Sequence, residues 1–285
     1  MSRFVLVAHG GAGRAPALPH WRARAETGMR DALRAGGGAL EAGGSALDAV
    51  VAAVQVLEAN PAFNAGLGSV ANADGEVEMD AAVMEGAELR AGAVAGLRST
   101  RHPVALARHI LDTGEHLFYA GEGAERLGRA AGLARIDPAE LAAAAPELEA
   151  ASSQGTVGAV ALDRAGHLAA ATSTGGTPGK RPGRVGDSAV IGAGTFADDA
   201  SCALSTTGHG ESFIRCVFAH SVAMRVGQGV ALEPACAALL ARVEVLGGEG
   251  GCVALDARGN LACPYDTPIM PRGVLREGAA PEVEI

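Results

Sequence analysis

Aromatic side chains are scarce in this chain of 285 residues, at 3% of the total, although 48% of the residues are hydrophobic. The core must therefore be built largely from Ala, Val and Leu, and the 41 glycines allow backbones to approach one another closely. A chain of this length is compatible with one large domain.

Clustered positive charge is also missing, since the net charge is −9 and the 23 Lys and Arg residues never form a run longer than two. Nucleic-acid binding needs clustered cations that release counterions, so no nucleic-acid partner is expected. No apolar run approaches the roughly 18 residues that cross a bilayer. The apolar segment 3–8 is too short for a secretory signal, so we expect neither a membrane partner nor export.

Cysteines are few, odd in number and never in a CxxC spacing; they are Cys202, Cys216, Cys236, Cys252 and Cys263. This pattern favours reduced thiols over disulfides or a zinc site. We therefore predict a cytoplasmic protein.

The apolar pattern predicts strands and helices along the whole chain. Strands are expected at 3–8, 76–85, 89–97, 189–194 and 201–206, and helices at 20–35, 46–59, 102–111, 121–131, 231–245 and from 206–211 to about 226. Three glycines at 36–38 are expected to end the first helix, and Ser45 to cap the second. Segment 133–155, rich in Ala, acids and Pro, predicts a mobile linker.

The linker ends at Gly155, where Thr156 opens an apolar strand that turns at 164–166 and returns to Gly176. A threonine hydroxyl becomes a useful nucleophile when its own free α-amino group acts as the base, which requires a cut before Thr156. Alternatively, Thr156 is only a β-branched strand residue. Residues 253–262 repeat the pattern of 160–169 without the Gly-Thr head, which predicts two similar neighbouring elements in one layered sheet.

Three other segments carry candidate polar groups. Arg184 and Asp187 lie in a rigid Gly- and Pro-rich loop, as a surface ion pair or as two charges held over a pocket. The loop-to-helix junction at 206–211 offers backbone N–H groups to a developing negative charge. The bent segment 57–68 is an ordinary loop or a carbonyl site for a monovalent cation, and Asn64 within it can point its amide into a site.

Six motifs occur in one order: HGGAG at 9–13, FNAGLG at 63–68, GTVGAVALD at 155–163, TSTGG at 172–176, PGRVGDS at 182–188 and TGHGE at 207–211. Together they resemble the plant-type (bacterial type III) asparaginase and isoaspartyl peptidase family of N-terminal-nucleophile hydrolases. The resemblance covers nearly the whole chain. It implies an α+β fold, a four-layer αββα sandwich, formed by residues 1–285 as a single domain.

The resemblance also implies an activity. The precursor would cut itself between Gly155 and Thr156 into an α subunit, 1–155, and a β subunit, 156–285. The new terminal amine would then deprotonate the Thr156 hydroxyl for attack on L-asparagine or on β-aspartyl (isoaspartyl) dipeptides. The implied assembly is an (αβ)2 dimer of heterodimers that acts on these small molecules without a catalytic cofactor.

Residue roles carry over position by position. Thr174 would bond the nucleophile, Asn64 would contribute to the same polar site, and the Thr207 hydroxyl with the Gly208 N–H would form the oxyanion hole. Arg184 would bind the substrate α-carboxylate and Asp187 its α-ammonium, which Gly210 lines. A structural Na⁺ or K⁺ would be held by the carbonyls of Leu57, Glu58, Asn60, Phe63, Ala65 and Leu67.

Three alternatives remain beside this interpretation. A glycosylasparaginase is disfavoured because that related family lacks the HGGAG opening and the FNAG segment. A threonine endopeptidase of the same fold does not need both Arg184 and Asp187. A binding module without catalysis would leave the chain uncut, whereas the enzyme would yield two fragments split at Thr156.

Overall fold

The computed structural model describes residues 4–15, 20–144 and 155–285, and its described strands form two sheets. The larger sheet has eight strands in the order β12-β11-β1-β5-β6-β2-β3-β4, all antiparallel except β3 with β4. Its strands are β1 (Val5–His9), β2 (Met79–Glu85), β3 (Ala91–Leu97), β4 (Phe118–Ala120), β5 (Val157–Leu162), β6 (Leu168–Thr174), β11 (Arg272–Arg276) and β12 (Glu282–Glu284). The smaller, in the order β10-β9-β8-β7, comprises β7 (Thr195–Ala197), β8 (Cys202–Gly208), β9 (Gly250–Asp256) and β10 (Leu261–Ala262).

Helices cover the outer face of each sheet. Those in the first half of the chain are α1 (Trp21–Glu41), α2 (Ala46–Glu58), α3 (Pro103–Thr113), α4 (Gly121–Ala130) and α5 (Pro138–Ala144). Those in the second half are α6 (Gly210–Cys216), α7 (Phe218–Gly227) and α8 (Leu232–Val245).

Three apolar layers hold the elements together. One lies between the large sheet and α1, α2 and α3, a second between the small sheet and α6, α7 and α8, and a third between the two sheets. Burial of these Ala-, Val- and Leu-rich faces is the main favourable term in folding. The predicted α+β fold with four αββα layers is confirmed.

Local sequence explains the helix ends only in part. Ser45 caps α2 in a reciprocal capping box with Asp48, as predicted. The predicted end of α1 at residues 36–38 is wrong, because the helix continues to Glu41. Gly36 and Gly37 instead let α1 approach the sheet, since a Cβ on either would lie within 2.6 Å of a leucine side chain. The expected single helix to residue 226 is broken at Val217, which has φ 47°.

The two similar hairpins fold alike but lie in different sheets. Strands β5 and β6 pair around a turn at Gly166, whose φ of +91° favours glycine. Strands β9 and β10 pair around the corresponding turn in the smaller sheet. The prediction that both belong to one sheet is therefore wrong, and they face each other across the interior.

Two further expectations are revised. Residues 189–194 form turns, and the short strand β7 follows them. The predicted start of the linker at residue 133 is too early, because α5 follows and both Ile136 and Leu141 are buried in the core. Residues 145–154 of that predicted linker lie outside the described residues. Within the described part of the chain, no helix is long and apolar enough to cross a membrane.

Candidate active site

Thr156 lies at the head of β5, a central strand of the larger sheet, and is only 6% exposed. Its hydroxyl donates to Thr174 Oγ1 at 3.1 Å, and Ser188 Oγ lies 3.5 Å away on the other side. Strand pairing explains the first contact, since β5 and β6 form one hairpin with Val157 opposite Ser173. Two hydroxyls of different elements therefore face the Thr156 oxygen in a buried site.

The carbonyl of Gly155, directly before Thr156, is held by two donors. Asn64 Nδ2 donates to this oxygen at 2.8 Å and Thr174 Oγ1 donates to it at 3.1 Å. Asn64 is itself fixed, because it also donates to the Gly176 carbonyl at 2.7 Å and accepts from Val70 N at 3.0 Å. Donors placed in this way stabilise negative charge that develops on a carbonyl oxygen under attack.

The glycine loop after β1 packs directly on this peptide bond. Gly11, at φ +108°, lies so close that a Cβ built there would be 2.9 Å from Gly155 Cα and 3.2 Å from Thr156 N. The next residue, Ala12, donates its N–H to Thr207 Oγ1 at 3.0 Å. This bond occupies an acceptor position of the Thr207 hydroxyl and leaves its proton for an oxygen in the site.

The contact at Gly11 predicts a strong effect on backbone cleavage. We expect Gly11→Ala to slow any cut at Gly155–Thr156 at least tenfold, because the methyl group displaces the peptide and the φ is strained for an L-residue. The fraction of cut chain against time on denaturing gels measures this. Gly114→Ala is the matched control, since Gly114 has φ +66° with no atom within 4 Å of its Cβ position. Equal cleavage rates in both variants would contradict the assignment.

A second cluster lies beside the first and carries the charges. Arg184 makes a bidentate ion pair with Glu211, with N–O distances of 2.9 and 2.8 Å. Among the ion pairs of the described residues, Arg184 pairs with Glu211 and not with Asp187, so the surface pair considered from the sequence is not formed. A Cβ on Gly210 would lie 2.8 Å from Asp187 Oδ1 and 3.1 Å from Arg184 Nη2, so this glycine keeps the space between the two charges open.

Asp187 is buried and polarised by its neighbours. Burial raises the pKa of its carboxyl above the usual value, while a hydrogen bond from Thr206 Oγ1 at 2.6 Å and the charge of Arg184 oppose the rise. A buried carboxylate with one oxygen in an open space suits a small cation such as an ammonium group. Asp187 precedes Ser188, which links this cluster to the Thr156 hydroxyl.

Gly208 is the last residue of β8. Its φ is +142°, and a Cβ there would lie 2.3 Å from the Glu249 carbonyl, which explains the need for glycine. It follows Thr207, so both residues predicted to form the oxyanion hole lie on β8 of the smaller sheet.

The bent segment after α2 turns backbone carbonyls towards two glycines. A Cβ on Gly66 would lie 2.3 Å from the Glu58 carbonyl oxygen, and one on Gly68 would lie 2.2 Å from that of Phe63. Four of the six predicted cation ligands each accept one backbone N–H and keep a second lone pair; they are Leu57, Asn60, Phe63 and Ala65. Carbonyl oxygens with a free lone pair are the kind of ligand that a hard monovalent cation takes. The described residues contain no group of three His, Cys, Asp or Glu side chains placed to bind a metal.

His9, the first residue of the glycine loop, is fully buried and bonds Ser205 Oγ at 2.9 Å. Burial lowers the pKa of its ring to about 3, and the backbone of Thr156 partly opposes this. The ring is therefore neutral in the folded protein throughout the neutral range.

This depressed pKa predicts loss of stability in mild acid. The unfolded chain protonates His9 below pH 6.5, whereas the folded chain does so only near pH 3, so stability falls as pH falls through this window. The expected loss from this residue is about 2 kcal/mol at pH 5. Thermal melts at pH 7.5 and 5.0 should show a smaller drop in His9→Gln than in wild type, and His116→Gln, an exposed control, should match wild type. Parallel drops in all three proteins would contradict the pKa shift.

Several groups of the site were not foreseen from the sequence. Ser188 and Glu211 end the PGRVGDS and TGHGE motifs, so position beside a predicted site residue was the available signal. Glu58 was expected only as a carbonyl ligand, yet its buried carboxylate accepts from Ser173 Oγ at 2.7 Å and from Val104 N at 2.9 Å. For His9, the only signal in the sequence was its position directly before the glycines of the HGGAG motif.

The αββα layering with Thr156 at the head of a central strand is the architecture of the N-terminal-nucleophile hydrolases. Comparison with known proteins narrows this class. A family model described as asparaginase matches residues 2–149 and 141–285. The chain is 43% identical to the isoaspartyl peptidase of Salmonella typhimurium over 312 residues, covering 100% of this chain and 99% of the relative.

Two other relatives agree. The isoaspartyl peptidase of Escherichia coli is 42% identical over 310 residues, covering 100% of this chain and 97% of the relative. The isoaspartyl peptidase/L-asparaginase of Rattus norvegicus is 40% identical over 296 residues, covering 96% of this chain and 87% of the relative. The chain belongs to this asparaginase family of enzymes, which confirms the resemblance found from the motifs.

Proposed function

We propose that the chain cuts itself between Gly155 and Thr156 and then hydrolyses L-asparagine and β-aspartyl dipeptides. One observation carries the proposal: the Thr156 hydroxyl and the two donors to the Gly155 carbonyl meet at one peptide bond. The relatives named isoaspartyl peptidase or isoaspartyl peptidase/L-asparaginase support the choice of substrates.

The self-cleavage begins with attack of Thr156 Oγ1 on the Gly155 carbonyl carbon. Asn64 and Thr174 stabilise the oxyanion. The proton of the Thr156 hydroxyl ends on the Thr156 nitrogen as the C–N bond breaks, and an ester joins Gly155 to the Thr156 oxygen. Water then hydrolyses the ester, which leaves a carboxylate on Gly155 and a free α-amine on Thr156. The Thr174 hydroxyl, no longer committed to the Gly155 oxygen, becomes available to Thr156 Oγ1.

Turnover uses the same oxygen with a new base. The α-amine of Thr156, with a reference pKa of about 7.7–8.0, is partly neutral at pH 7 and takes the hydroxyl proton. Oγ1 attacks the side-chain carbonyl of the substrate, and ammonia or an amino acid leaves as the acyl-enzyme forms. The Thr207 hydroxyl and Gly208 N–H stabilise the oxyanion, and water releases aspartate.

The charged cluster selects the substrate. Arg184 binds the α-carboxylate through guanidinium N–H groups that are not bonded to Glu211, or that become free when Glu211 moves away. Asp187 accepts a hydrogen bond from the α-ammonium. Gly210 leaves room for both groups. A compound with a free α-amino group and an amide on its β-carboxyl satisfies these contacts, which includes asparagine and isoaspartyl dipeptides.

Purified protein tests the proposal directly. Mass spectrometry should find two fragments, the second beginning Thr-Val-Gly, and the cut protein should release aspartate from both asparagine and β-Asp-Leu. Assay of the two substrates side by side gives the preference. A chain that stays intact and inactive after prolonged incubation would favour a binding module.

The assembly is proposed from the family resemblance and the compartment from the cysteines. We propose an (αβ)2 dimer of heterodimers in the cytoplasm, without a nucleic-acid or membrane partner. The five cysteines, all free in the structure, support a reducing compartment.

We also propose that the bent segment binds a structural Na⁺ or K⁺ and that the chemistry itself needs no cofactor. The cation would hold the segment that carries Asn64. Removal of the cation should therefore lower the melting temperature of the protein more than it lowers the rate of the chemical step. We expect replacement of Na⁺ and K⁺ by choline at equal ionic strength to lower the melting temperature by a few degrees. Gly66→Ala should abolish this cation dependence. An identical melting temperature in all three salts would contradict the site.

A further inference from the structure

A chain of buried polar groups runs beneath the nucleophile strand and joins the two sheets. His9 Nε2 lies 2.9 Å from Ser205 Oγ, which lies 2.7 Å from Thr172 Oγ1. Thr195 Oγ1 lies 2.6 Å from Thr172 Oγ1 and 2.9 Å from the carbonyl oxygen of Ser188. The four side chains from His9 to Thr195 are fully buried, and Ser188 is 1% exposed.

The Ser188 carbonyl is an acceptor at one end of these polar groups. The Thr195 hydroxyl has one proton, which it can donate to this carbonyl or to Thr172 Oγ1, and Thr172 Oγ1 lies 3.3 Å from a second acceptor, the Gly194 carbonyl. Loss of the Thr195 hydroxyl would remove this donor from the buried Ser188 carbonyl, so Thr195 helps to hold the Ser188 backbone in one orientation.

The backbone leaves no room for other side chains in this region. A Cβ on Gly158, the third residue after the expected cut, would lie 1.9 Å from Ser205 Oγ and 2.6 Å from His9 Nε2. Gly158, the glycine at the end of the GTVG motif, therefore leaves the space in which His9 and Ser205 pack against β5.

The Ser188 side chain points its hydroxyl at the nucleophile. Among the described residues, Thr156 Oγ1 is the one hydrogen-bond partner of Ser188 Oγ, at 3.5 Å. This distance is long for a hydroxyl pair, and catalytic hydrogen bonds often shorten only when charge develops. The Thr174 hydroxyl, in contrast, is committed to the Gly155 carbonyl before the cut.

We propose that Ser188 is a further catalytic residue, whose hydroxyl donates to Thr156 Oγ1 as that oxygen loses its proton, and that the chain from His9 to Thr195 positions it. Ser188 keeps its own proton and forms no covalent bond. The inference rests on the proposed role of Thr156 as the nucleophile. It assigns a donor to the attacking oxygen, whereas Thr207 and Gly208 serve the oxygen of the substrate.

The first test removes the Ser188 hydroxyl. Ser188→Ala should lower kcat for asparagine, measured per cut chain, about tenfold, the factor that about 1.4 kcal/mol supplies. KM should stay within twofold, because Ser188 holds no group of the substrate. Self-cleavage should slow by a similar factor. Ser201→Ala, a buried serine bonded to the Asp198 carbonyl, is the control and should match wild type.

The second test interrupts the chain. Thr195→Val should lower kcat about as much as Ser188→Ala, while Thr195→Ser, which keeps the hydroxyl, should restore most of it. The double variant Ser188→Ala/Thr195→Val should be no more than about twofold slower than Ser188→Ala, because both changes act on one contact. If Thr195→Val yields no folded protein, Thr172→Val provides the interruption.

Wild-type kcat in Ser188→Ala would overturn the proposal, and multiplicative losses in the double variant would overturn the positioning role of the chain. A rise in KM alone would assign Ser188 to substrate binding and also overturn it. These failures differ from failure of the proposed function, which would appear as turnover in Thr156→Ala.

Discussion

Thr156→Ala should leave the chain uncut and lower kcat roughly 10⁶-fold, the scale seen when a hydrolase loses its nucleophile. The methyl side chain has no oxygen to attack Gly155, so neither the ester nor the new amine forms. Asn64 and Thr174 would still hold the Gly155 carbonyl, because their donors do not depend on Thr156. Intact mass and release of ammonia from asparagine measure the two losses.

Thr156→Ser is the matched control for this prediction. Serine keeps the hydroxyl at the head of β5 and loses only a methyl group, so it should cut itself and turn over, at lower rates. Melting temperatures of both variants near that of wild type would show that the loss in Thr156→Ala is chemical. Asparagine hydrolysis by an uncut Thr156→Ala protein would end the nucleophile assignment.

Arg184→Ala should lower kcat/KM for asparagine about 10²- to 10³-fold, because the α-carboxylate then loses a charged, planar partner beside a buried Asp187. Self-cleavage should continue at a rate near that of wild type, since the side-chain hydrogen bonds of Arg184 within the described part of the chain go to Glu211 and not to the scissile peptide. This separation of cleavage from turnover distinguishes substrate binding from damage to the fold.

Two variants sharpen this prediction. Arg181→Ala removes an exposed arginine three residues away and should leave kcat/KM unchanged. Arg184→Lys keeps the charge but loses the bidentate fork, so it should recover only part of the loss. Normal kcat/KM in Arg184→Ala would place the carboxylate site elsewhere.

The sequence was sufficient for the hairpin at 156–174 and for the αββα class. A glycine turn between two apolar runs is a local feature, and motifs in a fixed order carry the family. The end of α1 and the helix break at Val217 could not be predicted from the sequence, because packing against the sheet determines both. Gly36 and Gly37 act through the leucines they touch and not through helix propensity.

The two hairpins have similar local sequences but belong to different sheets. Residues 160–169 and 253–262 share their turn chemistry, which depends on neighbours along the chain. Their sheets differ because pairing depends on strands that are distant in sequence: β5 pairs with β1, and β9 pairs with β8.

For the site, residue types and order were enough to nominate Thr156, Thr174, Asn64 and the charges at 184 and 187. Folding alone revealed that Asn64 and Thr174 share the Gly155 carbonyl and that Arg184 bonds Glu211. The chemical type of each side chain and the order of the motifs are given directly by the sequence. Distances between groups tens of residues apart arise only when two sheets pack, and catalysis depends on those distances.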